Sequence, residues 1–168
     1  MWQKGERIMK RQDYGSYLAT LLAVLLFAPA AFAGTIEGTV ISVADGDTFT
    51  IQTENGQEVM IRLAEIDSPE GGQPYSSESR EALASLIDGK VVRVKAHRKD
   101  PLGRTVGRVY VGDLDVVEEM VRIGASWVYR EYVIDRGLYA IEKKAESAKM
   151  GLWGTSEAAE LPPWKWVS

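Results

Sequence analysis

Between Thr35 and Val111 the chain is cut into short stretches of alternating, β-branched residues, each closed by residues that cannot continue a strand. This punctuation constrains the fold more than any other feature. Residues 35–43 alternate through Thr35, Ile36, Gly38, Val40 and Val43, and Asp45-Gly46-Asp47 interrupts them with turn chemistry. Residues 48–53 and 58–64 read as two further strands. Glu54-Asn55-Gly56-Gln57 lies between them, and Asn-Gly is a strong hairpin signal because both residues tolerate positive φ. Residues 91–96 and 105–111 supply a fourth and a fifth strand.

Helical spacing enters between the third and fourth strands. Ala82, Leu83, Leu86 and Ile87 share a face in a predicted helix over residues 76–87, with Ser76 or Ser77 as its cap and Gly89 near its end. Asp115-Val116-Val117-Glu118 has the form of a capping box, for a helix that runs to Ile123 and stops at Gly124. Leu138, Ile141, Ala145 and Ala148 line one face of a third helix, with Gly151 placed to end it. The tail carries Trp153, Pro162, Pro163, Trp164 and Trp166. The expected class is α+β: a five-stranded OB-like β-barrel with about three helices. Neither internal repeats nor low-complexity linkers divide it, and 168 residues suit a single domain with a sizeable core.

Residues 1–33 read as a targeting segment rather than part of that domain. Lys4, Arg7, Lys10 and Arg11 make a basic start, diluted by Glu6 and Asp13. Residues 17–33 carry no charge, and Ala31-Phe32-Ala33 before Gly34 has the small-x-small form of a cleavage site. Met9 offers an alternative start. The expectation is a signal peptide at 1–33, a globular domain at 34–168, and secretion or residence in the periplasm or cell envelope. The alternative is an uncleaved N-terminal membrane anchor, since the uncharged stretch nears the length needed to span a bilayer. Cysteine is absent, which excludes disulfides and thiolate metal sites. Without its first 33 residues the chain keeps 16 Lys+Arg and 22 Asp+Glu, a net charge of −6. Such a domain is no generic polyanion binder, so any nucleic-acid role must rest on a local cationic site or a bound metal.

Three segments gather polar residues where strands end: Asp45-Gly46-Asp47-Thr48, then Arg62-Leu63-Ala64-Glu65-Ile66-Asp67-Ser68-Pro69-Glu70, then Asp100-Pro101-Leu102-Gly103-Arg104. Alone, each also reads as a turn or a hairpin tip with solvated charges. Together they can do more. A hard cation needs several oxygen ligands, and Asp47, Asp67 and the main-chain carbonyl of Ser68 can provide three. Arg62 and Arg104 can meet the charge on phosphate oxygens bidentately, and Glu70 can take a proton from water.

With these segments the sequence resembles the staphylococcal nuclease family across roughly residues 35–166. Further motifs carry the resemblance: Val109-Tyr110, Met120-Val121-Arg122-Ile123-Gly124-Ala125, Gly151-Leu152-Trp153 and Pro163-Trp164-Lys165-Trp166. The resemblance implies a Ca²⁺-dependent phosphodiesterase acting on DNA, RNA or both. One Ca²⁺ would be held by Asp47, Asp67 and the Ser68 backbone oxygen. Glu70 would act on the attacking water, Arg62 and Arg104 would hold the phosphate, and Tyr132 would contact substrate. Asp45 would brace its turn. No obligate protein partner is implied, and a monomer is the expectation. There are departures from the family pattern. Ser68 replaces the usual Thr or Ala, and Glu65 stands where Gly is common. Pro101 and Leu102 replace a Lys and a Tyr that contact nucleotide in the type enzyme, and Arg130 falls where a stacking Tyr is expected.

Other residues have simpler expectations. His97, the sole histidine, sits with Arg98 and Lys99 in a solvated run that can add local positive potential beside Arg104. The tail tryptophans are expected to seal the core. Glu142, Lys143, Lys144, Glu146 and Lys149 read as a solvated helix face. The competing function is a catalytically inactive OB-fold module that binds nucleic acid or protein. The complete set Asp47, Arg62, Asp67, Glu70 and Arg104 favours catalysis.

Overall fold

A computed structural model describes residues 34–166, so the proposed targeting segment and cleavage site lie outside the described residues. Five strands form the barrel: β1 (Gly34–Val43), β2 (Thr48–Gln52), β3 (Glu58–Leu63), β5 (Val91–Lys99) and β6 (Thr105–Val111). The short strands β4 (Ile66–Asp67), β7 (Leu114–Asp115) and β8 (Trp127–Val128) lie beside them. Among the described residues four helices follow the order α1 (Ser76–Ile87), α2 (Val116–Arg122), α3 (Leu138–Ser147) and a five-residue α4 (Ser156–Glu160). Among the described residues no helix is long and apolar enough to cross a membrane.

Antiparallel pairing runs β3-β2-β1-β5-β6, and a parallel pairing of β3 with β6 closes the ring. The closing register sets Arg62 beside Val106 and Leu63 beside Gly107. Closure therefore carries the segment after β3 to the hairpin that holds Arg104. Gly107 permits a close approach, because a Cβ there would lie 2.6 Å from the Lys95 carbonyl oxygen. Inward-pointing side chains fill the barrel, with Phe49, Ile51, Ile61, Leu63, Val92 and Val94 fully buried. Leu83 and Ile87 from α1, Met120 and Val121 from α2, and Leu138 from α3 complete one continuous core.

Several expectations meet small corrections. β5 runs three residues further than alternation indicates, to Lys99, because a bulge between Ala96 and Arg98 resets the register without ending the strand. The start of α1 is not capped by Ser76 or Ser77. The chain enters from Tyr75 in the left-handed region, and both serines lie within the first turn. Asp115 does cap α2, accepting from the amides of Val117 and Glu118 at 3.0 and 3.2 Å. Along α3 the expected polar face is interrupted. Glu142 is only 4% exposed, because it accepts the Val128 N–H at 2.7 Å and pairs with Arg130 at 3.0 Å.

Candidate active site

The 45–48 turn is built by its own carboxylate. Asp45 Oδ1 accepts from the amides of Asp47 and Thr48 at 2.9 and 2.7 Å, the bracing role expected of it. Gly46 is required by packing: a Cβ there would collide with Ser79 Oγ of α1 and lie 2.8 Å from Ser68 Cβ. The turn thus sits flat on α1 and on the 66–68 segment and directs Asp47 inward. Asp47 Oδ2 accepts the Ser68 amide at 3.0 Å, and its Oδ1 accepts the Thr48 hydroxyl at 2.9 Å.

Arg62, near the end of β3, ties the second segment together. Its Nη1 donates to the carbonyls of Leu63 and Ile66 at 3.3 and 3.2 Å. Its Nη2 lies 2.5 Å from Asp67 Oδ1 and 3.4 Å from Asp47 Oδ2. One guanidinium nitrogen is therefore within ion-pair reach of both carboxylates, each residue only 6% exposed. Burial pushes the Asp47 carboxyl up to about 7 and Asp67 to about 6. Arg62 pulls both down and neighbouring carboxylates push them up, Glu70 among those acting on Asp67. Burial opposes the charge of Arg62 as well, but Asp47 and Asp67 outweigh it and hold the guanidinium firmly protonated.

Arg104 reaches the same cluster from the β5–β6 hairpin. Asp100 holds it on two sides, with Nε to Oδ2 at 2.6 Å and the Arg104 amide to Oδ1 at 2.9 Å. Burial alone would raise the Asp100 carboxyl, but these Arg104 bonds outweigh it and lower it. Arg104 Nη1 then donates to Thr48 Oγ1 at 3.3 Å. A continuous polar chain results: Asp100, Arg104, Thr48, Asp47, Arg62, Asp67. Glu70 is exposed at the mouth of this cluster, its amide held by Gln73 Oε1 at 2.9 Å.

A cleft of about 610 Å³ opens over the two arginines, with Leu102, Tyr129 and Tyr132 among its other walls. Tyr132 is 46% exposed, packs edge-on against Tyr129, and lies under the Arg98 guanidinium, 5.1 Å from its ring centroid. Tyr129 is stacked on Trp164, which is 40% exposed, so that tail tryptophan backs the cleft wall instead of sealing the core as expected. Arg130 does not join them. It pairs with Glu142 and lies over Tyr139, 5.1 Å from the ring centroid, and Tyr129 takes the place on the cleft wall.

The structure thus gathers Asp47, Arg62, Asp67, Ser68 and Arg104, with Glu70 and Tyr132 at the edges. It adds roles that the sequence did not assign: Thr48 as a link, Asp100 as a brace, and above all Glu65 as a buried anchor. Glu65 is 4% exposed, with φ at +67°. Its carboxylate accepts from the amides of Ile134 and Asp135 at 2.7 and 2.6 Å and from Arg108 Nη1 at 2.7 Å. Its carbonyl accepts the Tyr129 amide at 2.8 Å. Burial opposes ionisation of Glu65, but the Asp135 and Ile134 amides and Arg108 overcome it and lower its pKa. Glu65 thereby anchors the 129–135 strap that carries Tyr132. The signal was present in the sequence: a charged residue at a position where glycine is common needs compensating contacts.

Among the described residues no three Asp, Glu or His side chains form a ready-made cage for a metal. Asp47 and Asp67 nevertheless fit a hard divalent cation that keeps water or substrate oxygens as its other ligands. They are two buried carboxylates facing one guanidinium nitrogen, and burial raises the pKa of both despite Arg62.

Residues 60–155 match the family model described as staphylococcal nuclease homologue. An uncharacterized endonuclease of Escherichia coli O157:H7 is 39% identical over 146 residues, 86% of this chain and 94% of that protein. A micrococcal nuclease of Shigella flexneri is 36% identical over 159 residues, covering 88% and 90% of the two chains. An uncharacterized endonuclease of Haemophilus influenzae is 33% identical over 126 residues, covering 75% and 71%.

Proposed function

This chain belongs to the staphylococcal nuclease family, and from that premise we propose that it is a calcium-dependent nuclease hydrolysing phosphodiester bonds in DNA, RNA or both. The observation that carries the reading is the joining of two arginines and two buried carboxylates in one hydrogen-bonded chain beneath an open cleft.

Asp47 and Asp67 would hold Ca²⁺ with the Ser68 backbone oxygen. When bound, the ion would neutralise phosphate charge and polarise the phosphorus centre. The remaining work falls to the chain's own side chains. Arg62 and Arg104 grip the nonbridging oxygens from two sides, and their charge-assisted bonds strengthen as charge builds on those oxygens. Glu70, at the solvent edge, orients a water and takes its proton as the water oxygen bonds to phosphorus. The opposite P–O ester bond breaks and its oxygen leaves to be protonated. Tyr132 offers its exposed face to a base next to the scissile phosphate, and Arg98 and Tyr129 fix the ring.

Digestion of single-stranded DNA in Ca²⁺ and in excess chelator tests this reading. Cleavage that requires Ca²⁺ is expected. Cleavage that persists in chelator would exclude the calcium role of Asp47 and Asp67. No cleavage by folded protein with any divalent metal would leave a binding module in its place.

A further inference from the structure

We propose that the outer face of β5 is a second binding site, a track for the sugar–phosphate backbone of the strand that continues beyond the bond to be cut. The proposal rests on the nuclease reading and extends it to substrate length.

Three concavities run end to end along this face. The cleft above Arg62 and Arg104 shares His97 and Ile134 with a second hollow of about 430 Å³. That hollow is lined by Lys95 and shares Tyr110 with a third, of about 340 Å³, lined by Arg93. The outward side chains of β5 follow the same path: Arg93, Lys95, then His97 and Arg98 together, because the bulge at Ala96/Arg98 sets both outside. At about 3.3 Å per strand residue, Arg93 to Arg98 spans roughly 16 Å, enough for two or three consecutive phosphates of an extended strand.

Their charge is unspent. Among the described residues no carboxylate lies within ion-pair distance of Arg93, Lys95 or Arg98. Glu37 is the cross-strand neighbour of Arg93 yet forms no ion pair with it. Aromatic rings hold these cations instead. Arg93 and Lys95 both lie over Tyr110, at 5.2 and 4.8 Å from its centroid, and Arg98 lies over Tyr132. A ring positions the stem and head of a cation without cancelling its charge. The acids beside them face other donors: Glu65, Asp115 and Asp135 all pair with Arg108, whose single charge offsets one of the three, and Glu65 and Asp115 also accept from backbone amides. Glu118 on the wall of the middle hollow, and Glu37 and Asp113 at the far end, remain as acidic borders. In a domain of net charge −6, a row of cations leading out of the cleft fits a polyanion that enters there and continues.

The test uses the purified protein and two oligothymidylates, of three and twelve nucleotides. Binding is read by fluorescence anisotropy in chelator, so that it does not depend on turnover, and cleavage is read separately with Ca²⁺. R93Q/K95Q is expected to weaken binding of the 12-mer roughly five- to tenfold. It should also flatten the slope of log K against log salt by about 1.4, since each phosphate contact on a single strand contributes about 0.7. KM for the 12-mer should rise while kcat, and cleavage of the trinucleotide, stay unchanged. K143Q/K144Q on α3 removes the same charge elsewhere and should change none of these. An unchanged salt slope and 12-mer affinity in R93Q/K95Q would overturn the track, and so would an equal loss in K143Q/K144Q. If wild type cleaves neither oligonucleotide, the nuclease reading fails, while the salt slopes still decide whether the track exists.

Discussion

Replacing Glu65 separates two opposing effects of one residue. Glu65→Ala deletes a carboxylate that accepts from two strap amides and from Arg108, all within 2.7 Å. Breaking a buried ion pair by removing one partner costs about 3–5 kcal/mol. Arg108 keeps Asp115 at 2.8 Å, so the lower end, about 3 kcal/mol, is expected. Glu65→Gly loses the same contacts but relieves a backbone at φ +67°. Left-handed geometry costs a side-chain-bearing residue about 1–2 kcal/mol. The greater freedom of glycine in the unfolded chain returns about 0.4–1 kcal/mol of that. Glu65→Gly should therefore be more stable than Glu65→Ala by about 0.5–1 kcal/mol, although it removes more of the side chain. Urea unfolding at pH 7 reads both. With an m value of about 2 kcal/mol/M, the Ala variant should lose roughly 1.5 M in midpoint and the Gly variant about 1 M. An Ala variant within about 1 kcal/mol of wild type, or a Gly variant clearly less stable than Ala, would refute the strut and the strain it holds.

Asp100→Asn should lower kcat about tenfold on single-stranded DNA with little change in stability, because a charge-assisted bond that orients Arg104 is weakened; unchanged kcat would show that the hairpin alone aims the arginine. Burial raises Glu142 above its ordinary 4.5, so its stabilising share is present below that pH and is lost as pH rises through the raised value. Glu142→Gln keeps an acceptor for the Val128 amide, so its Tm relative to wild type should improve from pH 4 to pH 8; a deficit that grows with pH would contradict this. Asp47 and Asp67 are raised from 3.8 to about 7 and about 6, so without metal their stability contribution also declines as pH rises from about 4 to 7. Excess Ca²⁺ should then raise Tm more at pH 8 than at pH 5, and an equal effect at both would argue against these ligands.

Local chemistry was legible in the sequence and long-range chemistry was not. The bounds of α1 and β6 were read correctly because glycines and turn residues border them. The hairpin at Asn55-Gly56 was equally plain, with the Thr53 amide bonded to the Gln57 carbonyl at 2.9 Å. The extension of β5 was missed because a bulge puts two successive residues outside and so breaks the alternation. Glu142 read as solvated because its partner, the Val128 amide, belongs to a strand 14 residues away. Glu65 drew notice as a departure, but its partners at 108, 134 and 135 meet it only once the barrel closes. Arg62, Asp67 and Arg104 were singled out through motif spacing, and the fold brings them into one cluster. That Arg62 binds both carboxylates, and that Thr48 links Arg104 to Asp47, required coordinates.

The account turns on Glu70 acting on water above the arginine–carboxylate chain. The most direct measurement is the single-turnover cleavage rate of Glu70→Gln on single-stranded DNA in saturating Ca²⁺, beside wild type, with substrate binding and Tm recorded for both. The account predicts a fall of at least about 10²-fold in rate, with binding and Tm near wild type. A Glu70→Gln variant that folds, binds and cleaves at close to the wild-type rate would contradict it.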